Sequence, residues 1–249
     1  MEAHPVGPTP APVTALRWGL PDALIAWIVG VVCALLAVVP IAIVAASRAH
    51  VPESGIPEDL EVPALILGLV AQNLGIIGTL ALIARSKGRG SLWADFGLSV
   101  RARDLAWIAA GLGLSLVAGW MLLPITELAD LNGSSQEVVR QFENANGIEV
   151  PLFALGVVLL APVAEELLFR GVLLRGLVRR TNPARAVFAS ALIFALVHVI
   201  GDPDTYYYVP AFLLLGLVSG WRAMKTGNLS QSVMLHMGFN FLASILIIS

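Results

Sequence analysis

The sequence predicts an all-α membrane protein, a polytopic helix bundle with about seven transmembrane helices. Three observations lead to this fold class. Hydrophobic residues make up 57% of the chain. Charged residues make up only 13%, whereas a soluble domain carries about 25%. Apolar runs long enough to form spanning helices recur from residue 22 to the end of the chain, and the mean hydropathy is +0.84.

The hydropathy pattern divides the chain into seven apolar spans, with boundaries good to a few residues. They run over residues 22–46, 62–84, 104–124, 151–175, 185–201, 208–223 and 228–248. The sixth span is short and has Pro210 near its start, so we expect it to be tilted or partly buried in protein. Because no internal repeat is visible, a transporter built from inverted repeats is not favoured.

The domain organisation follows from the same pattern. Residues 1–21 are rich in Pro and Ala and predict a flexible tail, and residues 22–249 predict a single transmembrane domain. The tail lacks the ordered regions of a signal peptide, so we expect the first apolar run to remain as a span. The lone cysteine, Cys33, excludes a disulfide framework and a cysteine-based zinc site. No basic cluster indicates nucleic-acid binding.

Two connecting segments carry weaker signals. In residues 85–103, Trp93 and Phe96 could place the segment on the membrane interface, and a structural loop is an equally good interpretation. Residues 125–150 are polar and could hold a short amphipathic helix. Its apolar face would consist of Val138, Val139 and Phe142.

The distribution of basic residues predicts the orientation of the chain. Of the 15 Lys and Arg residues, twelve fall in alternate segments that share one side of the membrane. Two fall on the opposite side, and Arg170 lies inside a span. By the positive-inside rule, the N-terminus is predicted in the cytoplasm and the C-terminus outside.

The fourth span contains three ionisable residues in the stretch APVAEELLFRGVLLR, residues 161–175. A charge at the bilayer centre costs at least ~2.5–3.5 kcal/mol. Glu166 and Arg170 are four residues apart, with the acid first, which favours a helical ion pair. Glu165 points elsewhere, so it needs a partner on another helix or a water-filled cavity. Simple burial as packing polar residues is the alternative.

Two later spans also carry polar residues that are unusual in a membrane. His198 lies in the fifth span, and His236 and Asn240 lie four residues apart on one face of the seventh. Counted from the cytoplasmic side at ~1.5 Å per residue, the depths are ~15 Å for Glu165 and ~12–20 Å for the other three. The four side chains can therefore meet without any helix being broken.

Such a group can support two kinds of chemistry. A carboxylate and an imidazole can share a water and remove its proton, a general-base step worth ~10²–10⁴ in rate. A second histidine and an asparagine amide can donate hydrogen bonds to the oxyanion that forms on a carbonyl. Alternatively, Glu165, His198 and His236 could bind one Zn²⁺ with an open position for water. Their scatter over three helices does not resemble H-E-x-x-H, so spacing alone does not favour a metal.

The polar residues also form three motifs, E-E-x-x-x-R at residues 165–170, F-x-x-x-H at 194–198 and H-x-x-x-N at 236–240. In order and approximate spacing they resemble the CAAX prenyl protease and bacteriocin-processing family of intramembrane proteases, also called Abi. Each motif is weak alone, and the three together are specific. The resemblance implies that Glu166 and Arg170 organise the site.

The resemblance covers about residues 151–245 and implies an intramembrane endopeptidase that acts on a membrane-associated peptide or protein in the lipid bilayer. By this resemblance, Glu165 and His198 would activate the water. His236 and Asn240 would bind the oxyanion. The family is often described as metalloproteases, and a metal-free glutamate mechanism suits its eukaryotic-type members better. The expected cofactor is therefore either none or one Zn²⁺.

Two other classes of function stay open at this point. One is a non-catalytic membrane protein, such as an immunity or scaffold factor, that keeps the motifs for folding. The other is a transporter or proton relay that uses the same buried ionisable residues. Loss of function in the variant Glu165→Gln would distinguish a protease from a non-catalytic protein. A transporter would show coupled flux in proteoliposomes and no proteolysis.

Overall fold

The computed structural model describes residues 17–48, 57–128, 147–200 and 203–248. These residues form helices and no strand, which confirms the all-α class. The long and short α-helices are α1 (Leu20–Ala46), α2 (Glu58–Lys87), α3 (Leu92–Phe96), α4 (Ala106–Leu128), α5 (Glu149–Val178), α6 (Pro183–Val197), α7 (Val209–Thr226) and α8 (Ser230–Ile248). Single 3₁₀ segments precede α4 and α7, at Ala102–Leu105 and Pro203–Tyr208. The amphipathic helix predicted through Val138, Val139 and Phe142 lies outside the described residues.

Each of the seven predicted apolar spans overlaps one helix of the described chain. In the described chain, four helices (α1, α2, α4 and α5) are long and apolar enough to cross a membrane, and α6 is a shorter apolar helix. These helices confirm a multi-pass membrane protein. The fifth span was predicted to reach residue 201, but α6 ends at Val197 and His198 follows as its C-cap. Gly201 and Pro203, both poor helix formers, follow within six residues of this end.

Helix α5 occupies the centre of the bundle. In the most apolar 18-residue stretch of α5, 50% of the residues are buried inside the protein, compared with 11% in α1 and 22% in α2 and α4. The other long helices form three packed pairs around it, α1 with α2, α4 with α8, and α6 with α7. Among these four helices, the one that carries three ionisable residues is therefore the most buried.

The pair α4 and α8 is held at very close range by glycine. A Cβ atom added to Gly111 would lie 2.0 Å from the Leu235 carbonyl oxygen. A Cβ atom added to Gly238 would lie 2.1 Å from the Ile108 carbonyl oxygen. The two backbones therefore touch, as they do at small-residue interfaces between membrane helices. This contact fixes the position of the helix that carries His236 and Asn240.

Helix α5 is irregular on both sides of its two glutamates. Residues Gly156–Leu160 and Glu166–Leu173 are π-helical. The Ala161 N–H donates to the Gly156 carbonyl, five residues back, in the first of these segments. Such π-helical turns occur often at functional sites because they rotate the side chains that follow them.

The segment at residues 85–103 is a docked structural loop. Phe96 is completely buried and its ring centroid lies 5.3 Å from that of Trp18. Arg175 of α5 donates to the backbone carbonyls of Asp95 and Phe96, at 2.7 and 3.2 Å. Trp93, by contrast, is 66% exposed. The interfacial placement predicted for Phe96 is therefore wrong, because an arginine from the central helix anchors this backbone inside the protein.

Candidate active site

Glu166 and Arg170 form a buried ion pair within α5. Arg170 Nη1 lies 3.2 Å from Glu166 Oε1, and both side chains are 0% exposed. Arg170 Nη2 also donates to Ser219 Oγ of α7 at 3.2 Å, and its guanidinium lies 4.4 Å from the ring centroid of Phe194 in α6. A buried ion pair needs such additional contacts to offset its desolvation. The pair therefore connects the central helix to two neighbours.

Glu166 also binds the histidine of α8. His236 Nδ1 lies 3.0 Å from Glu166 Oε1, and the imidazole is 2% exposed. Because an ionised carboxylate only accepts hydrogen bonds, Nδ1 is the donor. This contact fixes the ring so that its other nitrogen, Nε2, faces Glu165.

Glu165 lies between the two membrane-embedded histidines. Its Oε2 atom is 3.5 Å from His198 Nε2 and 3.7 Å from His236 Nε2. The structure thus brings together three side chains from α5, α6 and α8 that are distant in sequence. The side chains of Glu165 and His198 are 20% and 24% exposed. Those of Glu166 and Arg170 are 0% exposed, so only the first two are accessible from outside the protein.

The hydrogen bonds of His198 assign its tautomer. Its Nδ1 atom lies 2.6 Å from the Phe194 carbonyl oxygen, which can only accept. In the neutral ring, Nε2 therefore presents a lone pair to Glu165. Glu165 Oε2 has no hydrogen-bond donor among the residues described, and 3.5 Å exceeds a normal hydrogen bond. Two acceptors that face each other in this way suit a molecule that donates two hydrogens, such as water.

Asn240 lies one turn beyond His236 on α8, and its amide makes a different contact from the other three side chains. Its Nδ2 donates to the Val157 carbonyl at 3.0 Å, in the first π-helical segment of α5. In this π-helical segment, each N–H donates to the carbonyl five residues earlier in the chain. The donor for the Val157 carbonyl would therefore be Pro162, which has no N–H. Asn240 therefore satisfies a carbonyl that the helix itself leaves unpaired, and one amide hydrogen is left for another acceptor.

The zinc arrangement of Glu165, His198 and His236 stays a prediction. Within the described residues, no group of three or more His, Cys, Asp or Glu side chains is arranged to hold a metal ion. We therefore derive no step through a metal.

Three side chains that support the cluster were not predicted as site residues. Phe194 and Phe212 lie against the His198 ring, with centroids 4.4 and 4.6 Å away. Ser219 accepts from Arg170 and donates to the Leu215 carbonyl. Phe194 had a signal in the sequence, since it opens the second motif. Phe212 and Ser219 had none, because an isolated Phe or Ser in an apolar helix is common.

A comparison with protein-family models matches residues 147–242 to the model described as type II CAAX prenyl endopeptidase Rce1-like. The matched range includes all three motifs and extends from the start of α5 into α8. Comparisons with curated proteins and with solved structures found no significant match.

Proposed function

We propose that this protein hydrolyses a peptide bond of a membrane-associated substrate with a water activated by Glu165 and His198. The match of residues 147–242 to the Rce1-like model of type II CAAX prenyl endopeptidases supports this proposal. The family and the apolar helices support an intramembrane endopeptidase of the CAAX type. One observation carries the finer proposal. The Glu165 carboxylate faces an imidazole nitrogen from each of two other helices, inside the membrane-spanning bundle.

The first step is the activation of water. A separation of 3.5 Å between Glu165 Oε2 and His198 Nε2 allows one oxygen atom to lie at a hydrogen-bond distance of ~2.8 Å from both. The water oxygen forms a bond to the scissile carbonyl carbon as its proton passes to Glu165. The same proton is then delivered to the amide nitrogen, and the C–N bond breaks. General-base assistance of this kind is worth ~10²–10⁴ in rate.

The second step is stabilisation of the oxyanion on the former carbonyl. We assign this to Nε2 of His236 and to the amide hydrogen of Asn240 that Val157 does not occupy. Since His236 keeps Nδ1 on Glu166, donation from Nε2 requires the imidazolium form. That cation would lie between two carboxylates. Loss of one oxyanion donor typically costs ~10²–10³ in kcat.

The decisive variant is Glu165→Gln, which keeps the shape of the side chain and removes the base. The purified full-length protein in lipid vesicles is assayed for cleavage of a farnesylated CAAX-type peptide. We expect no measurable cleavage by Glu165→Gln or by His198→Ala. Thermal unfolding, monitored in parallel, establishes that each variant is folded.

Glu127→Gln is the matched control, because Glu127 is an exposed acid at the end of α4, outside the cluster. It should cleave at the rate of the parent protein. Full activity of Glu165→Gln would refute the proposal and favour a non-catalytic role, and coupled ion flux without cleavage would favour a transporter. Metal content is measured on the same samples. Inactivation by a chelator with recovery on adding Zn²⁺ would overturn the metal-free mechanism.

A further inference from the structure

A cavity of about 400 Å³ lies at one end of the bundle, where α1 begins and where α2 and α5 end. Buried Trp18 and Gly176 line its inner side. Four basic side chains and one acid line the rest, namely Arg17, Lys87, Arg179, Arg180 and Asp22.

The positive charge of this cavity is only partly neutralised. Asp22, the single acid, forms its ion pair with Lys87. Arg17 and Arg179 donate to backbone carbonyls, those of Ser86 and Trp18, which carry no net charge. In the described part of the chain, the Arg180 side chain makes no hydrogen bond or ion pair. Among the described residues, these three guanidinium groups therefore have no carboxylate partner, and they line a space large enough for a phosphate group.

A second cavity of about 290 Å³ adjoins the first and is apolar. It lies between α1 and α6 along the surface of α5, and Leu20 lines both cavities. Leu20, Leu24 and Trp27 line it from one face of α1. Leu173, Ile193 and Val197 line it from α5 and α6. Leu24 and Ile193 are 57% and 39% exposed, so the groove is open to the hydrocarbon on its outer side.

We propose that the two cavities bind one anionic phospholipid of the bilayer, with the phosphate headgroup among the arginines and one acyl chain in the groove. The ends of three membrane-spanning helices place the basic cavity at headgroup level, and the groove continues from it into the hydrocarbon region. A soluble phosphate would use only the first cavity and an uncharged lipid only the second. An anionic lipid uses both, and this binding does not depend on the proposed peptidase activity.

The test is lipid selectivity of the full-length protein in phosphatidylcholine vesicles. The probe is a trace of spin-labelled phosphatidylglycerol, compared with the same label on phosphatidylcholine. We expect the protein to immobilise the anionic label selectively. Arg17→Gln with Arg180→Gln removes two exposed charges and should weaken this binding roughly 30-fold, about fivefold for each charge.

The matched control is Arg101→Gln with Arg103→Gln, which removes two exposed arginines at the same end of the bundle outside the cavity. It should bind the anionic label as the parent protein does. If the first pair is poorly folded, Arg180→Glu alone tests the site, because that side chain has no partner to lose among the described residues. It should also weaken binding.

Four results would overturn the proposal. Equal immobilisation of the two labelled lipids would indicate a groove that does not select the headgroup. An equal loss of binding in the cavity double variant and in the control double variant would indicate attraction by diffuse surface charge. Release of the anionic label by glycerol 3-phosphate would indicate a site for a soluble anion. Release by a farnesylated peptide would assign the groove to the substrate of the peptidase.

Discussion

Glu165 and Glu166 are neighbours in the chain but lie in different environments. Glu166 is 0% exposed and binds Arg170 and His236, whereas Glu165 is 20% exposed and faces two imidazoles. Consecutive residues of a helix project in directions about 100° apart, so two adjacent acids reach different neighbours. We therefore assign Glu166 to holding the site together and Glu165 to the reaction.

The first prediction at the residue scale concerns the buried ion pair. Arg170→Ala leaves the Glu166 carboxylate without its cation inside the bundle and should cost about 3–5 kcal/mol of unfolding free energy. Arg170→Met combined with Glu166→Gln removes both charges and should be more stable than Arg170→Ala. Denaturant unfolding in detergent measures both variants. Equal stabilities would show that the pair contributes nothing to the fold.

The second prediction at the residue scale concerns Asn240. Asn240→Ala should lower kcat by ~10²–10³, as loss of one oxyanion donor does, without abolishing cleavage. It should also reduce the thermal midpoint, since the Val157 carbonyl loses its donor. Ser244→Ala, one turn further along α8, is the control and should leave kcat unchanged. An unchanged kcat in folded Asn240→Ala would restrict Asn240 to a structural role.

At the scale of elements, the position of the site depends on how closely α8 approaches α4. Gly111 contacts the backbone of Leu235, the residue before His236, and a methyl group has no room there. Gly113, two residues further along α4, has no atom within 4 Å of its added Cβ. The two glycines therefore differ in packing although they share a helix.

This difference predicts unequal effects of the same substitution. Gly111→Ala should separate α4 from α8 at a cost of about 1–3 kcal/mol and should reduce cleavage, because His236 moves with α8. Gly113→Ala should leave both stability and cleavage unchanged. Thermal unfolding and peptide cleavage are measured on each variant. Equal behaviour of the two would mean that the α4–α8 contact does not position the site.

At the scale of the whole molecule, basic residues collect at one end of the bundle. Arg17, Lys87, Arg179 and Arg180 share a cavity there, although they come from three separate parts of the chain. At the opposite end, Arg48 and Asp59 form an ion pair between the end of α1 and the start of α2. Helices α1 and α2 therefore run in opposite directions, and the basic end is the one predicted to face the cytoplasm.

The orientation is tested by single-cysteine labelling with a membrane-impermeant thiol reagent. Ser86→Cys, an exposed position near the end of α2 at the basic end, should be labelled only from the cytoplasmic side, and Ser249→Cys only from outside. Cys33→Ala provides the background, because Cys33 is the only native cysteine. Labelling of both positions from the same side would refute the seven-span topology.

The sequence by itself determined the all-α fold class, the approximate positions of the apolar helices and the residues of the three motifs. Hydropathy and local spacing carry this information, because a run of apolar residues specifies a membrane helix wherever it packs. The four-residue spacing of Glu166 and Arg170 also predicted their contact, since the distance between these positions is a property of the helix alone.

Only the tertiary structure decided which partners the polar side chains meet. The burial of Phe96 and the contact of Asn240 with Val157 each depend on a neighbour distant in the chain. Helix rotation, tilt and π-helical turns set these contacts, and they result from packing of the whole bundle. The spacing of residues in the sequence predicts which face of a helix a side chain occupies and how deep in the membrane it lies. The packing of the bundle determines which residues lie opposite that face.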